Sequence, residues 1–188
     1  MAKLVYAALT SLDGFIEDAD GRFEWAVPDA EVHAFINELE AGIGTHLYGR
    51  RMYEAMEVWQ TVGDGPDVDE AEAAYAVLWR ALDKVVYSRT LDDVRTARTR
   101  LEREFDASAV ARLKASVDHD LSVSGPDLAR HAFAAGLVDE IHLFLFPVVV
   151  GDGKPGLPRG VWLDLELAAE RRFASGVVHL HHRVRASR

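Results

Sequence analysis

A chain of 188 residues fits one domain with a sizeable hydrophobic core. Its apolar share of 49% and charged share of 28% are those of a globular protein, and the absence of cysteine excludes a disulfide framework, a thiolate nucleophile and a Cys-based zinc site. A net charge of −10 argues against nonspecific nucleic-acid binding, which depends on Lys and Arg neutralising phosphates.

Met1-Ala2-Lys3 runs straight into an apolar segment and lacks the layout of a signal peptide. The longest apolar run, Phe144 to Val150, is interrupted by Pro147 and is too short to span a bilayer. These features predict a cytoplasmic protein with neither a membrane nor a nucleic acid as partner.

Leu4 to Leu9 reads as a buried first strand ending in Thr10-Ser11, with a turn at Asp13-Gly14 and another at Asp20-Gly21. Pro28 and Asp29 open a helix whose apolar face is Val32, Phe35, Ile36 and Leu39 at i, i+3, i+4 and i+7, and Gly42 and Gly44 end it. Thr45 to Tyr48 is a short strand, Arg50 to Val58 a second helix, and Thr61 to Asp69 a surface loop. Ala71, Tyr75, Leu78 and Leu82 mark a third helix, Lys84 to Tyr87 a strand, and Arg98 to Leu101 another. Phe105, Ala109 and Leu113 suggest a helix. Leu121 to Val123 is a strand, followed by a helix from Pro126 to Gly136 and a strand from Ile141 to Phe146. Gly151 to Pro158 reads as a loop, and Leu163 to Phe173 and Val177 to Val184 as a hairpin about Ser175-Gly176. Strands alternating with helices, with a terminal hairpin and no linker or repeat, predict a single α/β domain over 1–188 with a mixed, mostly parallel sheet.

Four strand ends carry residues with chemical potential. Gly49-Arg50-Arg51 lies between a strand and a helix, where a glycine, two forked donors and a helix N-terminus suit a phosphate. Ser88-Arg89 ends a second strand and is suited to a 2′-phosphate or to stacking on adenine. Ser124-Gly125-Pro126 joins a strand to a helix and is suited to a pyrophosphate, although Asp127 beside it carries the wrong sign unless it faces away. Asp13, after the first strand, either binds a substrate hydroxyl or amine or simply makes its turn. Arginine at two of these turns, on an acidic chain, points to an anionic ligand.

These turns, with Gly136-Leu137-Val138-Asp139-Glu140-Ile141 and Pro147-Val148-Val149-Val150-Gly151-Asp152-Gly153, occur in one order. From about Leu4 to Val184 the pattern resembles the dihydrofolate-reductase-like family. It is most similar to the branch holding the reductase domain of the bifunctional riboflavin-biosynthesis deaminase–reductase. The resemblance implies a three-layer α/β/α fold, NADPH lying across the strand ends, hydride transfer to a small heterocyclic, carbonyl or imine substrate, and a homodimer. It also implies that Arg50, Arg51, Ser88 and Arg89 surround the adenine ribose phosphate, that Ser124, Gly125 and Pro126 take the pyrophosphate, and that Leu9 and Ile16 flank the nicotinamide. Asp13 and Trp25 would face the substrate, with Asp13 and Glu31 the candidate catalytic acids. A silent nucleotide-binding module of the same fold is the alternative.

Three positions depart from the pattern. Met52 replaces the threonine of the Gly-Arg-Lys-Thr-like turn, and Gly125-Pro126 replaces a double glycine. Ala7 replaces the lysine of the riboflavin branch, which argues against its phosphosugar intermediate as substrate. Glu31 and Phe35 share a helix face, as an ordinary amphipathic helix would also place them. His179, His181 and His182 resemble a metal cluster. With no acidic residue or further histidine evident beside them, they are expected to be surface or dimer-face residues rather than ligands. The tryptophans are expected mostly in the core.

Overall fold

The computed structural model of the chain describes residues 1–63 and 68–185. Its strands are β1 (Leu4–Ser11), β2 (Phe15–Asp18), β3 (Ile43–Gly49), β4 (Asp83–Tyr87), β5 (Thr99–Glu102), β6 (Asp120–Ser124), β7 (Glu140–Phe146), β8 (Gly153–Pro155), β9 (Leu165–Arg172) and β10 (Val178–Val184). Its helices are α1 (Ala30–Glu40), α2 (Arg50–Met56), α3 (Glu70–Ala81), α4 (Ala107–Ser116) and α5 (Pro126–Ala134). An eight-stranded sheet has the order β5-β4-β3-β6-β1-β7-β10-β9, while β2 and β8 pair with each other. From β5 to β7 all neighbours are parallel; β10 runs antiparallel to both β7 and β9.

The two faces of the sheet follow from the period-2 alternation of its strands. Leu4, Tyr6 and Ala8 of β1 and Ile141 of β7 point to the side covered by α4 and α5, where they meet Val110, Ala129, Ala132 and Phe133. Tyr6 and Phe133 pack edge to face with ring centroids 5.3 Å apart. Phe144 and Phe146 point to the opposite side, where Phe35 of α1 and Phe173 join them. Fully burying side chains of this size contributes roughly 1.5–3 kcal/mol each.

A buried polar chain fastens α1, β3 and α3 together. Glu40 Oε2 lies 2.8 Å from His46 Nε2, His46 Nδ1 lies 2.9 Å from the Tyr48 hydroxyl, and Trp79 Nε1 donates to that hydroxyl at 3.1 Å. Three helix starts are capped by aspartate: Asp29, Asp69 and Asp106 accept from the Val32, Ala71 and Ser108 amides respectively.

The expected fold is present, with corrections. Gly44 does not end α1; it lies within β3, which begins at Ile43. The stretch from Gly151 to Pro158 is not all loop, because it contains β8, and β2 was not foreseen. The second helix gives way after Met56 to a 3-10 turn over Glu57–Gln60. Trp79 is buried, but Trp162 is exposed rather than core. Within the loop expected from Thr61 to Asp69, positions 64–67 lie outside the described residues.

Candidate functional site

The sheet order decides what the strand-end motifs can do together. β4, β3, β6 and β1 are successive neighbours and all parallel, so the turns after them leave from one edge. Register confirms this: Gly49 is opposite Tyr87, and Tyr48 is opposite Ser124. At a strand spacing of about 4.8 Å, the Ser88-Arg89 turn and the Asp13 turn lie roughly 14 Å apart across the sheet. The carboxyl edge of a parallel sheet is where such folds bind ligands.

The Ser124-Gly125-Pro126 turn is shaped for close approach. Gly125 has φ +87°, a conformation costly for any other residue. Pro126 then starts α5, so the amides of the first helical turn are unpaired within the helix. Asp127 sits in this first turn, and Lys154 Nζ meets its Oδ2 at 2.6 Å. The wrong-sign charge feared from the sequence is thereby countered by a lysine on β8.

At the other end, the arginines are placed unequally. Arg50 is tied to Glu54 Oε1 at 2.7 Å and to Thr90 Oγ1 at 3.0 Å. Arg89 pairs at the surface with Glu104 Oε1 at 3.0 Å. Arg51 is exposed and forms no salt bridge among the described residues. Ser88 is buried, and its Oγ accepts from the amides of Thr90 and Leu91, so it shapes the turn. Gly49 has ordinary extended angles as the N-cap of α2, with ordinary contact distance to Leu128, so its backbone gives no special reason for glycine.

Leu9 packs into the cluster on the α1 side, and Ile16 packs against the core on the α5 side. They therefore stand to either side of the end of β1. Beyond it opens a cavity of about 250 Å³, lined by Trp25, Val27, Asp29, Phe146, Pro147, Val148, Ser175 and Val177. Trp25 lies edge-on to Phe146 at 6.4 Å, and its Nε1 is buried with no hydrogen-bond partner among the described residues.

The two candidate acids are otherwise engaged. Asp13 accepts from the amides of Val150 at 3.2 Å and Gly151 at 2.8 Å. A hydrogen bond from Ser11, then these amides, hold its carboxyl below the usual range, so at neutral pH it is a carboxylate with no proton to donate. Glu31 Oε2 accepts from Ala174 N at 3.0 Å and its Oε1 lies 3.3 Å from Arg171 Nη2. Both carboxylates staple loops, and the geometry does not place either as a free proton donor.

The expectation for the C-terminal histidines is corrected. His179 is buried, not at the surface, and its Nε2 lies 2.9 Å from His142 Nδ1. Glu140 and His142 on β7 stand directly across from β10, so an acid and a further histidine are beside the cluster after all. His182 points away, as expected from strand periodicity. Lys154 and His142 carry no local signal, because only long-range pairing brings them beside Asp127 and His181.

A mostly parallel sheet with helices on both faces, four turns along its carboxyl edge and a C-terminal antiparallel hairpin defines a three-layer α/β/α fold. Residues 2–179 match the family described as the RibD C-terminal domain, and the chain belongs to that family. It is 28% identical over 185 residues to the uncharacterized protein YyaP of Bacillus subtilis strain 168, covering 95% of this chain and 93% of that one. Among solved structures it resembles a pyrimidine reductase-like protein from Corynebacterium diphtheriae, with a TM-score of 0.72, 13% identity, and coverage of 99% and 93% of the two chains. It also resembles the diaminohydroxyphosphoribosylaminopyrimidine deaminase/5-amino-6-(5-phosphoribosylamino)uracil reductase of Thermotoga maritima. There the TM-score is 0.66 at 13% identity, covering 97% of this chain and 56% of that one.

Proposed function

We propose that this protein is an NADPH-dependent reductase acting on a C=N or C=O carbon of a small planar substrate. The observation that carries the reading is the placement of four turns on adjacent parallel strands, with a glycine-gated helix start in the middle and arginines at one end.

The residues present fit the cofactor. Gly125 and the first turn of α5 offer open backbone and unpaired amides to a pyrophosphate. Arg51, with Arg50 and Arg89 nearby in the sheet order, offers forked donors to a 2′-phosphate. Leu9 and Ile16 supply apolar walls at the end of β1. When bound, the reduced nicotinamide supplies the hydride.

The cavity beside Trp25 takes the substrate in this reading. Its lining holds no lysine or arginine, which favours a neutral, flat molecule over a phosphosugar and agrees with Ala7 in place of lysine. Trp25 offers a ring face and an unengaged Nε1–H donor. Because Asp13 and Glu31 already serve loop amides, we assign the proton to solvent. We also propose a homodimer, on the family resemblance.

The same commitment of both acids favours a second reading, a module that binds the nucleotide without turnover. The test is to mix protein and NADPH with pterins, folates, flavins, quinones and amino-sugars and follow nicotinamide absorbance. Oxidation dependent on at least one compound supports a reductase. Binding without oxidation across the panel replaces it with the silent module.

A further inference from the structure

We propose that Glu140, His142 and His181 form a binding site for a divalent transition metal of the zinc class, on the α1-side face of the sheet. One ligand atom from each residue lies within 4.8 Å of the others. Two imidazoles and a carboxylate are a donor set suited to zinc, with a position left for water. The site is separate from the nucleotide edge: Glu140 begins β7 and Phe146 ends it, a strand run of roughly 20 Å.

Strand register builds the site. His142 and His181 are directly opposite partners across β7 and β10, and Glu140 precedes His142 by two residues, on the same face. Glu140 and His142 are more than nine-tenths buried, at 8% and 7% exposed. His181 Nε2 is buried without a hydrogen-bond partner among the described residues; it lies 3.3 Å from Glu140 Oε2 but is not aligned to donate to it. A buried imidazole nitrogen left unmatched beside a carboxylate calls for an occupant.

The surroundings prepare the ligands. His142 Nδ1 is engaged by His179 Nε2 at 2.9 Å, which fixes the ring and leaves His142 Nε2 as the available ligand atom. Lys3 Nζ holds the other carboxylate oxygen, Glu140 Oε1, at 2.9 Å. That ammonium opposes any cation, so the ion must gain strongly from imidazole: Zn²⁺, Ni²⁺ or Cu²⁺ rather than Mg²⁺ or Ca²⁺. The rings of His142 and His181 stack at 4.2 Å and 13°, so binding requires one ring to rotate and turn its lone pair inward.

The test uses the full chain without an affinity tag. Zn²⁺ is titrated calorimetrically after treatment with chelator, and Co²⁺ is followed by its visible ligand-field bands. The expected result is one ion per chain and a Co²⁺ spectrum of low coordination number. His181→Ala and Glu140→Gln should each weaken binding about tenfold or more, while His119→Ala, a histidine elsewhere on the chain, should not. Circular dichroism identifies any variant that fails to fold; because His181 is only partly buried, His181→Ala is the decisive one. Absence of stoichiometric binding, or binding unchanged in a folded His181→Ala protein, overturns the proposal.

Discussion

Lys154 on β8 meets Asp127 in the first turn of α5, Nζ to Oδ2 at 2.6 Å, and so links the small β2–β8 ribbon to the turn proposed to hold a pyrophosphate. Removing the lysine leaves a carboxylate facing the incoming phosphates. Lys154→Met is expected to weaken NADPH binding several-fold, and adding Asp127→Asn to restore most of it. Because Asp127 is largely exposed, stability should change by no more than about 1 kcal/mol. Calorimetric titration of the single and double variants, with thermal melts alongside, checks both parts.

Arg51 and Arg89 are the arginines with least internal commitment, since Arg50 is held by both Glu54 and Thr90. Converting each to glutamine is expected to lower NADPH affinity about tenfold per lost contact, the equivalent of ~1.4 kcal/mol. NADH affinity should stay nearly constant, because NADH lacks the 2′-phosphate. Side-by-side titration of the two nucleotides reads the difference directly.

Gly125 at φ +87°, like Gly14 at +89° in the turn after β1, holds a backbone conformation that resists replacement. Gly125→Ala should cost roughly 1–3 kcal/mol of stability through backbone strain and should weaken NADPH binding as well. Denaturant unfolding and nucleotide titration of the variant test the two effects separately.

Lys84 is buried, donating from Nζ to the carbonyls of Trp79 at 2.9 Å and Leu82 at 2.8 Å, near the end of α3. Burial, then Arg98, push its ammonium down from 10.5 to about 8. Between those values the unfolded chain holds a proton that the folded chain has lost, so this group makes stability rise with pH across that window and adds no slope below it. Lys84→Met should remove that contribution. Plotting the stability difference between wild type and Lys84→Met from neutral pH toward pH 10 should show wild type gaining relative to the variant; a constant difference would contradict the assignment.

The sequence disclosed those elements whose signals are local. The face Val32, Phe35, Ile36, Leu39 and the Asp29 cap define α1, and Pro126 defines the start of α5. It misled where a local signal was overridden by tertiary packing. Gly42 and Gly44 look like a single helix stop, yet Gly44 lies in β3, where a Cβ would run into the His119 ring. β2 and β8 are too short, and β8 too rich in Gly and Pro, to show any alternation.

The candidate site divides the same way. The four turns were legible because each carries its residues contiguously. Their adjacency was not, since β6 inserts between β3 and β1 out of chain order. Asp13 and Glu31 looked available because their partners, Gly151 and Ala174, are distant in sequence. Lys154 and Asp127, and the Glu140–His142–His181 group, are likewise joined only by long-range pairing.

The most direct test of the central claim is a titration of the wild-type protein with NADPH and NADH, followed by quenching of tryptophan fluorescence. The structure predicts saturable binding of one NADPH per chain, about tenfold or more tighter than NADH, the gain expected when at least one arginine meets the 2′-phosphate. Absent binding, or equal affinity for the two nucleotides, would contradict the assignment of this sheet edge as an NADPH site.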